Sequence, residues 1–291
     1  MTVRIAVGQT PVTATLEEAV PAAVAAVEEA GQLGAHVLCL PETCLPGHRS
    51  QPRSVPDYAA AELDAAVETV AAAAGRAGVV TIVGAERPAP AGREIVAVVV
   101  GADGSRLGTQ VKTQIDPSEE RDYVPGSGRL AFAAAGIRFA IAICHEAFRY
   151  PEIARAAVLD GAQVLFVPHF VVTDDGSLAR RFGDAANPYN EKAVLCRALE
   201  NTVYVAAANA AAPDQGSASC VISPDGALLA QVPYGTPGVA VADIDPARAD
   251  GLMARRFAPE RNRREYPVPG TGYARPPSGD GPRAAGAVPI P

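Results

Sequence analysis

The strongest constraint on the fold of this sequence is a buried strand that ends on a cysteine and leads into a helix. An apolar run from Phe139 to Ile143 ends at Cys144. After a short bend, Pro151 and Glu152 show the proline and the acid typical of a helix start. Ligands of open α/β sheets bind beyond the carboxyl ends of strands, and a strand-to-helix turn can hold a nucleophile beside an oxyanion-stabilising N–H. The junction at Cys144 is therefore the main candidate for chemistry in this chain.

Apolar runs and alanine-rich amphipathic stretches alternate along the chain, with hairpins in the middle. Helices are predicted at 15–32, with a kink or restart at Pro21, at 57–77 and at 189–200. The predicted strands are 3–8, 36–40, 79–86, 94–101, 106–112, 139–143, 162–170, 202–209, a hairpin over 217–232, and 238–245. This order favours a mixed sheet, or two sheets, with helices outside, so the predicted class is α/β.

Charge and composition exclude several classes of protein. The 291 residues carry a net charge of −7 and no basic run, which argues against a nucleic-acid partner. Apolar stretches are interrupted well short of a membrane span, and MTVRIAVGQT lacks the pattern of a secretory signal. Five cysteines without metal-binding or CxxC spacing indicate free thiols in a reducing compartment. We therefore expect a cytoplasmic enzyme.

Three reactive side chains stand at or just past the ends of predicted strands or hairpins: Glu42, Lys112 and Cys144. If these strand ends share one rim of a sheet, a base, a cation and a thiol converge there. The carboxylate then takes the thiol proton, the thiolate attacks an electrophilic carbon, and the ammonium stabilises the oxyanion. The spacing in the sequence leaves open whether the three strand ends converge.

Each of these residues has a simpler interpretation when it is taken alone. Cysteine is among the most buried residue types, so Cys144 fits an inert core thiol, and Glu42 and Lys112 fit solvated surface charges. A metal site on residues 144–146 is disfavoured, because neighbours on extended backbone point to opposite sides. No zinc cluster is predicted, because the other histidines are scattered along the chain: His36, His48 and His169.

Several ordered segments resemble the nitrilase superfamily, the carbon–nitrogen hydrolases with a Glu-Lys-Cys triad. The resemblance runs from VRIAVGQTPV near the start to VADID near residue 245, through RALENTVYVAAAN and GSASCVISPDGALLA. It implies that Glu42 in LCLPETCLPG is the general base and Lys112 in VKTQIDPSEERDYVPG the catalytic cation. Cys144 in AIAICHEAFRYPE would be the nucleophile. The family's second glutamate falls on Glu119, which would position Lys112 or the substrate amide.

The resemblance also carries expectations about architecture and mechanism. It implies a four-layer αββα sandwich with mixed sheets, assembled through its helices as a homodimer or larger homo-oligomer. It implies a thioester intermediate, formed from an amide, carbamoyl or nitrile substrate and then hydrolysed. Lys112 and the backbone N–H of His145 would hold the oxyanion. No metal or organic cofactor is implied, and we expect a small-molecule substrate and no membrane partner.

Departures from the family pattern bear on the substrate. His145 stands where true nitrilases usually have Trp, which favours an amide over a nitrile. One more residue separates Cys144 from Pro151 than in the commonest amidase pattern. Arg149 has two interpretations, a partner for a substrate carboxylate or a salt bridge that braces the turn. The other candidates for the pocket lining are Tyr123, Glu146, His169 and Phe170.

The predicted function is that of a thiol-dependent amidohydrolase acting on a small aliphatic amide or N-carbamoyl compound. Three alternatives stay open: nitrile hydrolysis, acyl transfer to an amine by the same triad, and a catalytically inactive binding scaffold. The predicted hydrolase domain comprises residues 1–265. From Tyr266 the chain is rich in Pro, Gly and Ala, so 266–291 is predicted to be disordered or packed on a partner subunit.

Overall fold

A computed structural model describes residues 2–179 and 181–262 of the chain. Residues up to Arg256 form one compact unit, and the short 3-10 helix Pro259–Asn262 belongs to a second unit that begins at Phe257. The predicted domain boundary at 265 and the predicted tail, 266–291, lie outside the described residues. Within the described ranges, none of the helices combines the length and the apolar character that a membrane span needs.

The first unit consists of strands and helices that follow the predicted order closely. The described strands are β1 (Val3–Gln9), β2 (Val37–Cys39), β3 (Val80–Ala89), β4 (Gly92–Val100), β5 (Arg106–Val111), β6 (Ala131–Ala134), β7 (Ile137–Ile141), β8 (Val164–Pro168), β9 (Tyr204–Ala208), β10 (Cys220–Ile222), β11 (Leu228–Gln231) and β12 (Gly238–Ile244). The described α-helices are α1 (Leu16–Gln32), α2 (Ala60–Ala77), α3 (His145–Arg149), α4 (Pro151–Leu159), α5 (Asn190–Asn201) and α6 (Leu252–Arg256).

The strands form two six-stranded mixed sheets, in the orders β12-β1-β2-β3-β4-β5 and β11-β10-β9-β8-β7-β6. The central strands of each sheet, β1-β2-β3 and β7-β8-β9, pair in parallel, and the outer strands pair antiparallel. Since β4 reverses direction and β5 reverses it again, β5 ends at the same rim as β2. The ends of β2 and β5 therefore lie at one rim of the first sheet, and the ends of the parallel pair β7 and β8 lie at one rim of the second.

The two sheets pack face to face, with β1 and β2 against strands of the second sheet. Helices α1 and α2 cover the first sheet on its other face, and α5 packs on β9 and β10 of the second. Apolar side chains fill the space between the sheets and beneath both helix layers. The layer order is α-β-β-α, which confirms the predicted fold class. The five cysteines, all within the described residues, are free thiols, as expected.

Three local features differ from the sequence-based expectations. Helix α1 runs through Pro21 as one element without a restart, and the Thr15 hydroxyl caps its N-terminus. The short strand β6, with only one buried side chain, was not predicted. Helix α3 begins at His145, immediately after Cys144, so the expected bend before Pro151 is itself helical.

Candidate active site

Glu42, Lys112 and Glu119 meet in a buried ionic cluster. The Lys112 Nζ lies 2.8 Å from Glu42 Oε1, and 2.6 and 2.9 Å from the two carboxylate oxygens of Glu119. The side chains of Lys112 and Glu42 are 0% exposed, and that of Glu119 is 4% exposed. Burial would lower the pKa of Lys112, but the charges of Glu42, Cys144 and Glu119 raise it above 10.5. Two carboxylates therefore share one ammonium away from bulk water.

Glu42 lies in a tight loop after β2 that is held from two sides. Thr43 adopts a left-handed conformation with φ 43°. Gly84 of β3 allows the loop to approach closely, since a Cβ at this position would collide with the Pro41 carbonyl. The Phe170 backbone N–H donates to Glu42 Oε2 at 3.1 Å. One carboxylate oxygen of Glu42 thus faces Lys112, and the other is held by the main chain after β8.

Glu146 ties the segment after Lys112 to the cysteine turn. Its carboxylate accepts hydrogen bonds from the backbone N–H of Thr113 at 2.6 Å and of Ile143 at 2.9 Å, and from Arg129 at 3.0 Å. The side chain is 0% exposed. Both oxygens of this predicted pocket residue are therefore bonded to the chain itself, and Glu146 braces the site from within.

Cys144 occupies the turn between β7 and α3 with φ 51° and ψ −112°. A positive φ is strained for a residue with a side chain, and such strain is typical of a nucleophile held at a strand-to-helix turn. The Cys144 N–H donates to the Pro168 carbonyl at 2.9 Å, and Sγ lies 3.9 Å from the Phe170 carbonyl oxygen. Within the described residues, the backbone N–H of His145 has no hydrogen-bond acceptor.

The two carboxylates of the cluster differ in how readily they take up a proton. Burial raises the pKa of Glu42 above 4.5, and the Lys112 charge offsets this only in part. Burial would also raise the pKa of Glu119, but the hydrogen bond from His48 and the charge of Lys112 lower it to about 2. Burial raises the pKa of the Cys144 thiol well above 9.0, with a further increase from Glu42 that Lys112 opposes. Glu119 therefore stays ionised, and Glu42 is the carboxylate suited to accept a proton.

His48, which sequence analysis treated as one of several scattered histidines, belongs to this cluster. Its Nε2 lies 3.1 Å from Glu119 Oε1 and 3.8 Å from Glu42 Oε2, and its ring stacks on Phe170 at 4.7 Å. The Ser50 backbone N–H donates to His48 Nδ1, so we assign the imidazole proton to Nε2, which donates to Glu119. The only signal for this role in the sequence is the position of His48 in the loop that carries Glu42.

The donor atoms of Glu42, His48 and Glu119 also form a group that could hold a metal ion, since they lie within 4.8 Å of one another. Lys112, however, already bonds both carboxylates. The chain itself thus supplies the positive charge that a metal would bring to this position.

Tyr123 and His169, two predicted pocket residues, are buried supports of the site. The Tyr123 hydroxyl donates to Glu86 at 3.2 Å, and its ring centroid lies 6.1 Å from that of His48. The His169 Nδ1–H donates to the Val167 carbonyl at 3.0 Å, and burial lowers the pKa of His169 to about 4. His169 is therefore a neutral imidazole inside the protein.

The remaining predicted site residues lie nearer the surface. Phe170, through its main chain, contacts both Glu42 and Cys144. Arg149 is exposed, and its guanidinium lies 4.3 Å from the centroid of the Tyr189 ring. It forms no ion pair with any described residue, so the predicted bracing salt bridge is not observed. The side chain of His145 lies 2.7 Å from Asp116.

Comparison with known proteins gives matches over most of the chain. The family model described as Carbon-nitrogen hydrolase matches residues 4–252. A nitrilase from Pyrococcus abyssi is 30% identical over 154 residues, covering 51% of this chain and 53% of that protein. An (R)-stereoselective amidase from Pseudomonas sp. is 28% identical over 167 residues, covering 54% and 57%. The chain thus spans about half the length of these two relatives. An omega-amidase from Xenopus laevis is 27% identical over 234 residues, covering 75% and 80%.

Solved structures match the whole two-sheet architecture. An amidase from Nesterenkonia sp. has 26% identity and a TM-score of 0.73, with 89% of this chain and 95% of that chain covered. A variant of that amidase with a covalently added acetamide moiety of fluoroacetamide at its active-site cysteine has a TM-score of 0.72 and 26% identity, covering 89% and 96%. The family match runs from β1 to the start of α6 and includes every segment that carries the resemblance. The chain therefore belongs to the carbon–nitrogen hydrolase family, within the nitrilase superfamily.

Proposed function

We propose that this protein is a thiol-dependent amidohydrolase that cleaves the non-peptide C–N bond of a small aliphatic amide or N-carbamoyl compound. The observation that carries the proposal is the buried cluster of Glu42, Lys112 and Glu119 beside the strained Cys144 turn. A proton-accepting carboxylate, a cation and a thiol are the groups that acyl transfer to sulfur requires. The acetamide adduct on the cysteine of the Nesterenkonia sp. amidase supports a thiol nucleophile and a small amide substrate.

In the first half of the reaction, the sulfur of Cys144 attacks the carbonyl carbon and its proton passes to Glu42. The carbonyl oxygen takes the negative charge. The three N–H donors of the Lys112 ammonium contact one oxygen of Glu42 and both oxygens of Glu119. As the oxyanion forms, one of the two contacts to Glu119 is exchanged for a hydrogen bond to the oxyanion. The unpaired backbone N–H of His145 is the second donor. Glu42 then passes its proton to the leaving nitrogen, the C–N bond breaks, and a thioester remains.

In the second half, water replaces the departed amine. Glu42, again ionised, takes a proton from the water as its oxygen attacks the thioester carbon. The same two donors hold the second oxyanion. The C–S bond then breaks, the acid product leaves, and the proton on Glu42 returns to the Cys144 sulfur. Every proton is thus accounted for by one carboxylate, with Glu119 as a positioning residue for Lys112.

Two other sequence-based expectations stay predictions: assembly into a homodimer or larger homo-oligomer, and a cytoplasmic location.

A release assay tests the proposed function directly. Ammonia release is measured from acetamide, propionamide, an N-carbamoyl amino acid and propionitrile, and the protein is examined by mass spectrometry for an acyl adduct on Cys144. We expect release from an amide or carbamoyl compound, and none from Cys144→Ala. Cys196→Ala, which removes an exposed thiol, is the matched control and should retain full activity.

Two results would count against the proposal. Turnover by a folded Cys144→Ala protein would remove the nucleophile from the mechanism. Formation of a condensed amide in place of free acid, when an alkylamine is added, would favour acyl transfer over hydrolysis.

A further inference from the structure

A groove of about 670 Å³ is lined by Phe170, whose carbonyl oxygen lies 3.9 Å from the sulfur of Cys144. This size falls within the usual range for small-molecule sites. We call it the apolar groove and define it by the side chains that form most of its wall: Val12, Pro52, Phe170, Val172, Ala212 and Pro213. Of this wall, sequence analysis identified only Phe170, because the wall comes from four separate loops.

Phe170 connects the apolar groove to the reacting groups. Its backbone N–H donates to Glu42 at 3.1 Å, and its carbonyl oxygen lies 3.9 Å from the sulfur of Cys144. Phe170 also belongs to the lining of the groove. A substrate carbon bonded to Cys144 therefore lies next to this residue, and a chain attached to that carbon has the groove as an adjacent apolar space.

The charges around the apolar groove disfavour an anion. Arg53 lines the groove, but it is bonded to both carboxylate oxygens of Glu18, at 2.7 and 2.9 Å. Asp214 also lines the groove, and no basic side chain in the described part of the chain pairs with it. The groove thus presents one neutralised cation and one uncompensated carboxylate.

A second groove, of about 620 Å³, contains Arg149 and is the alternative place for a substrate chain. Asp174 and Asp175 also line it, so two carboxylates outnumber the one guanidinium. The Arg149 guanidinium lies over the Tyr189 ring. This groove therefore shows no net positive charge that would attract an anionic chain.

We propose that the apolar groove binds the substituent on the acyl carbon and selects an uncharged aliphatic chain over one that ends in a carboxylate. This inference rests on the proposed function and specifies its substrate class. The favourable contribution is the burial of methylene groups against Phe170 and its neighbours. The discrimination comes from Asp214, since a carboxylate placed near it is repelled and loses its hydration.

The test compares kcat/KM for three amides of matched chemistry: propionamide, hexanamide and the monoamide of hexanedioic acid. Burial of each added methylene is expected to raise kcat/KM about fourfold. Hexanamide should therefore exceed propionamide by at least about tenfold. The monoamide, which ends in a carboxylate, should fall at least about tenfold below hexanamide.

Reversing one charge in each groove shows which groove is responsible for the selectivity against a carboxylate. Asp214→Lys should raise the ratio of monoamide to hexanamide activity about tenfold, because it replaces repulsion by attraction. Asp174→Lys makes the same reversal in the Arg149 groove and should change that ratio less than about twofold. Asp214→Asn, the milder variant, should give an intermediate ratio, and it replaces Asp214→Lys if the latter does not fold.

Every outcome of these rate measurements either supports or overturns the proposed role of the apolar groove. Equal rates for propionamide and hexanamide, or a ratio that responds to Asp174→Lys or Arg149→Gln in place of Asp214→Lys, would overturn the inference. If wild-type protein hydrolyses none of the three amides and no N-carbamoyl amino acid, the proposed function fails instead. The groove is then tested by calorimetry on the full chain, where hexanamide must bind at least about tenfold more tightly than the monoamide.

Discussion

Two neighbouring buried ion clusters in this protein differ in their charge balance. In the first, which we call the Glu86 cluster, Arg49 donates to Glu86 at 2.6 and 2.9 Å, and Arg93 lies 3.2 Å from the same carboxylate. The exposed Asp57 contacts both guanidinium groups. Two cations face two carboxylates, and the Tyr123 hydroxyl completes the set.

The second, the Glu42 cluster, comprises Glu42, Lys112, Glu119 and His48. Two carboxylates face one ammonium, and the imidazole contributes only an N–H. Burial of an excess negative charge is unfavourable, and one carboxylate responds with a raised pKa. We infer that the balanced cluster has a structural role, whereas the excess negative charge of the Glu42 cluster gives one carboxylate the raised pKa that suits a proton acceptor.

The largest expected effect comes from removing the excess charge. Glu42→Gln leaves Lys112 paired with Glu119 alone, so the buried cluster becomes neutral. We expect kcat/KM to fall by about 10²- to 10⁴-fold, because the proton acceptor is lost. The free energy of unfolding should stay equal or rise. Both are measured together, by ammonia release and urea denaturation, and a large loss of stability would contradict the charge argument.

Breaking the Glu86 cluster should reduce the stability of the protein and leave its catalytic rate nearly unchanged. Arg49→Gln leaves the buried Glu86 partly uncompensated, so the free energy of unfolding should fall by about 3–5 kcal/mol. The kcat of the folded fraction should change little. The matched control is Arg87→Gln, which breaks the more exposed pair with Glu94 and should cost less than about 1 kcal/mol. If Arg49→Gln lost kcat and kept its free energy of unfolding, the Glu86 cluster would have a catalytic role and the distinction between the two clusters would fail.

Acid should destabilise the protein partly through Glu119. Its pKa is lowered to about 2 from 4.5, so its ionised form stabilises the fold above pH 4.5, and this contribution is lost as the pH falls towards 2. The free energy of unfolding of Glu119→Gln should therefore depend less on pH in this range. Glu120→Gln, at the exposed neighbouring position, should titrate like wild type. Parallel curves for all three proteins would be evidence against a lowered pKa.

The smallest effect is expected at His48, which acts through Glu119. His48→Phe can keep a ring stacked on Phe170 but removes the N–H donor, so the pKa of Glu119 should rise. We expect about a tenfold loss of kcat/KM, from one hydrogen bond to a charged group. The free energy of unfolding of His48→Phe should also depend less on pH between 2 and 4.5 than that of wild type, because the pKa of Glu119 moves towards its unfolded value. Ser54→Ala, at an exposed position of the same loop, should leave this pH dependence and kcat/KM unchanged; a change there would assign the effect to the loop and not to the imidazole.

Much of the site could be predicted because strand ends are visible in a sequence. Glu42, Lys112 and Cys144 each follow an apolar or alternating run, and the resemblance ordered them into one triad. His48 and Glu146 could not be assigned in the same way. Their contacts are with Phe170, Glu119, Thr113 and Arg129, on segments far apart along the chain. No periodicity or spacing encodes which distant loop a side chain will meet.

The sequence alone determined the α/β class, the order of the elements and the residue types available at each strand end, because these depend on local patterns of apolar and polar residues. Tertiary structure decided the left-handed turn at Cys144, the convergence of two carboxylates on Lys112 and the charge around the apolar groove. Those properties depend on distances and burial between separate segments, such as Glu42 with Lys112, 70 residues away, and Glu42 with Phe170, 128 residues away. Electrostatic interactions strengthen as water is excluded, so the reactivity of these groups emerges only when both sheets and their loops have packed.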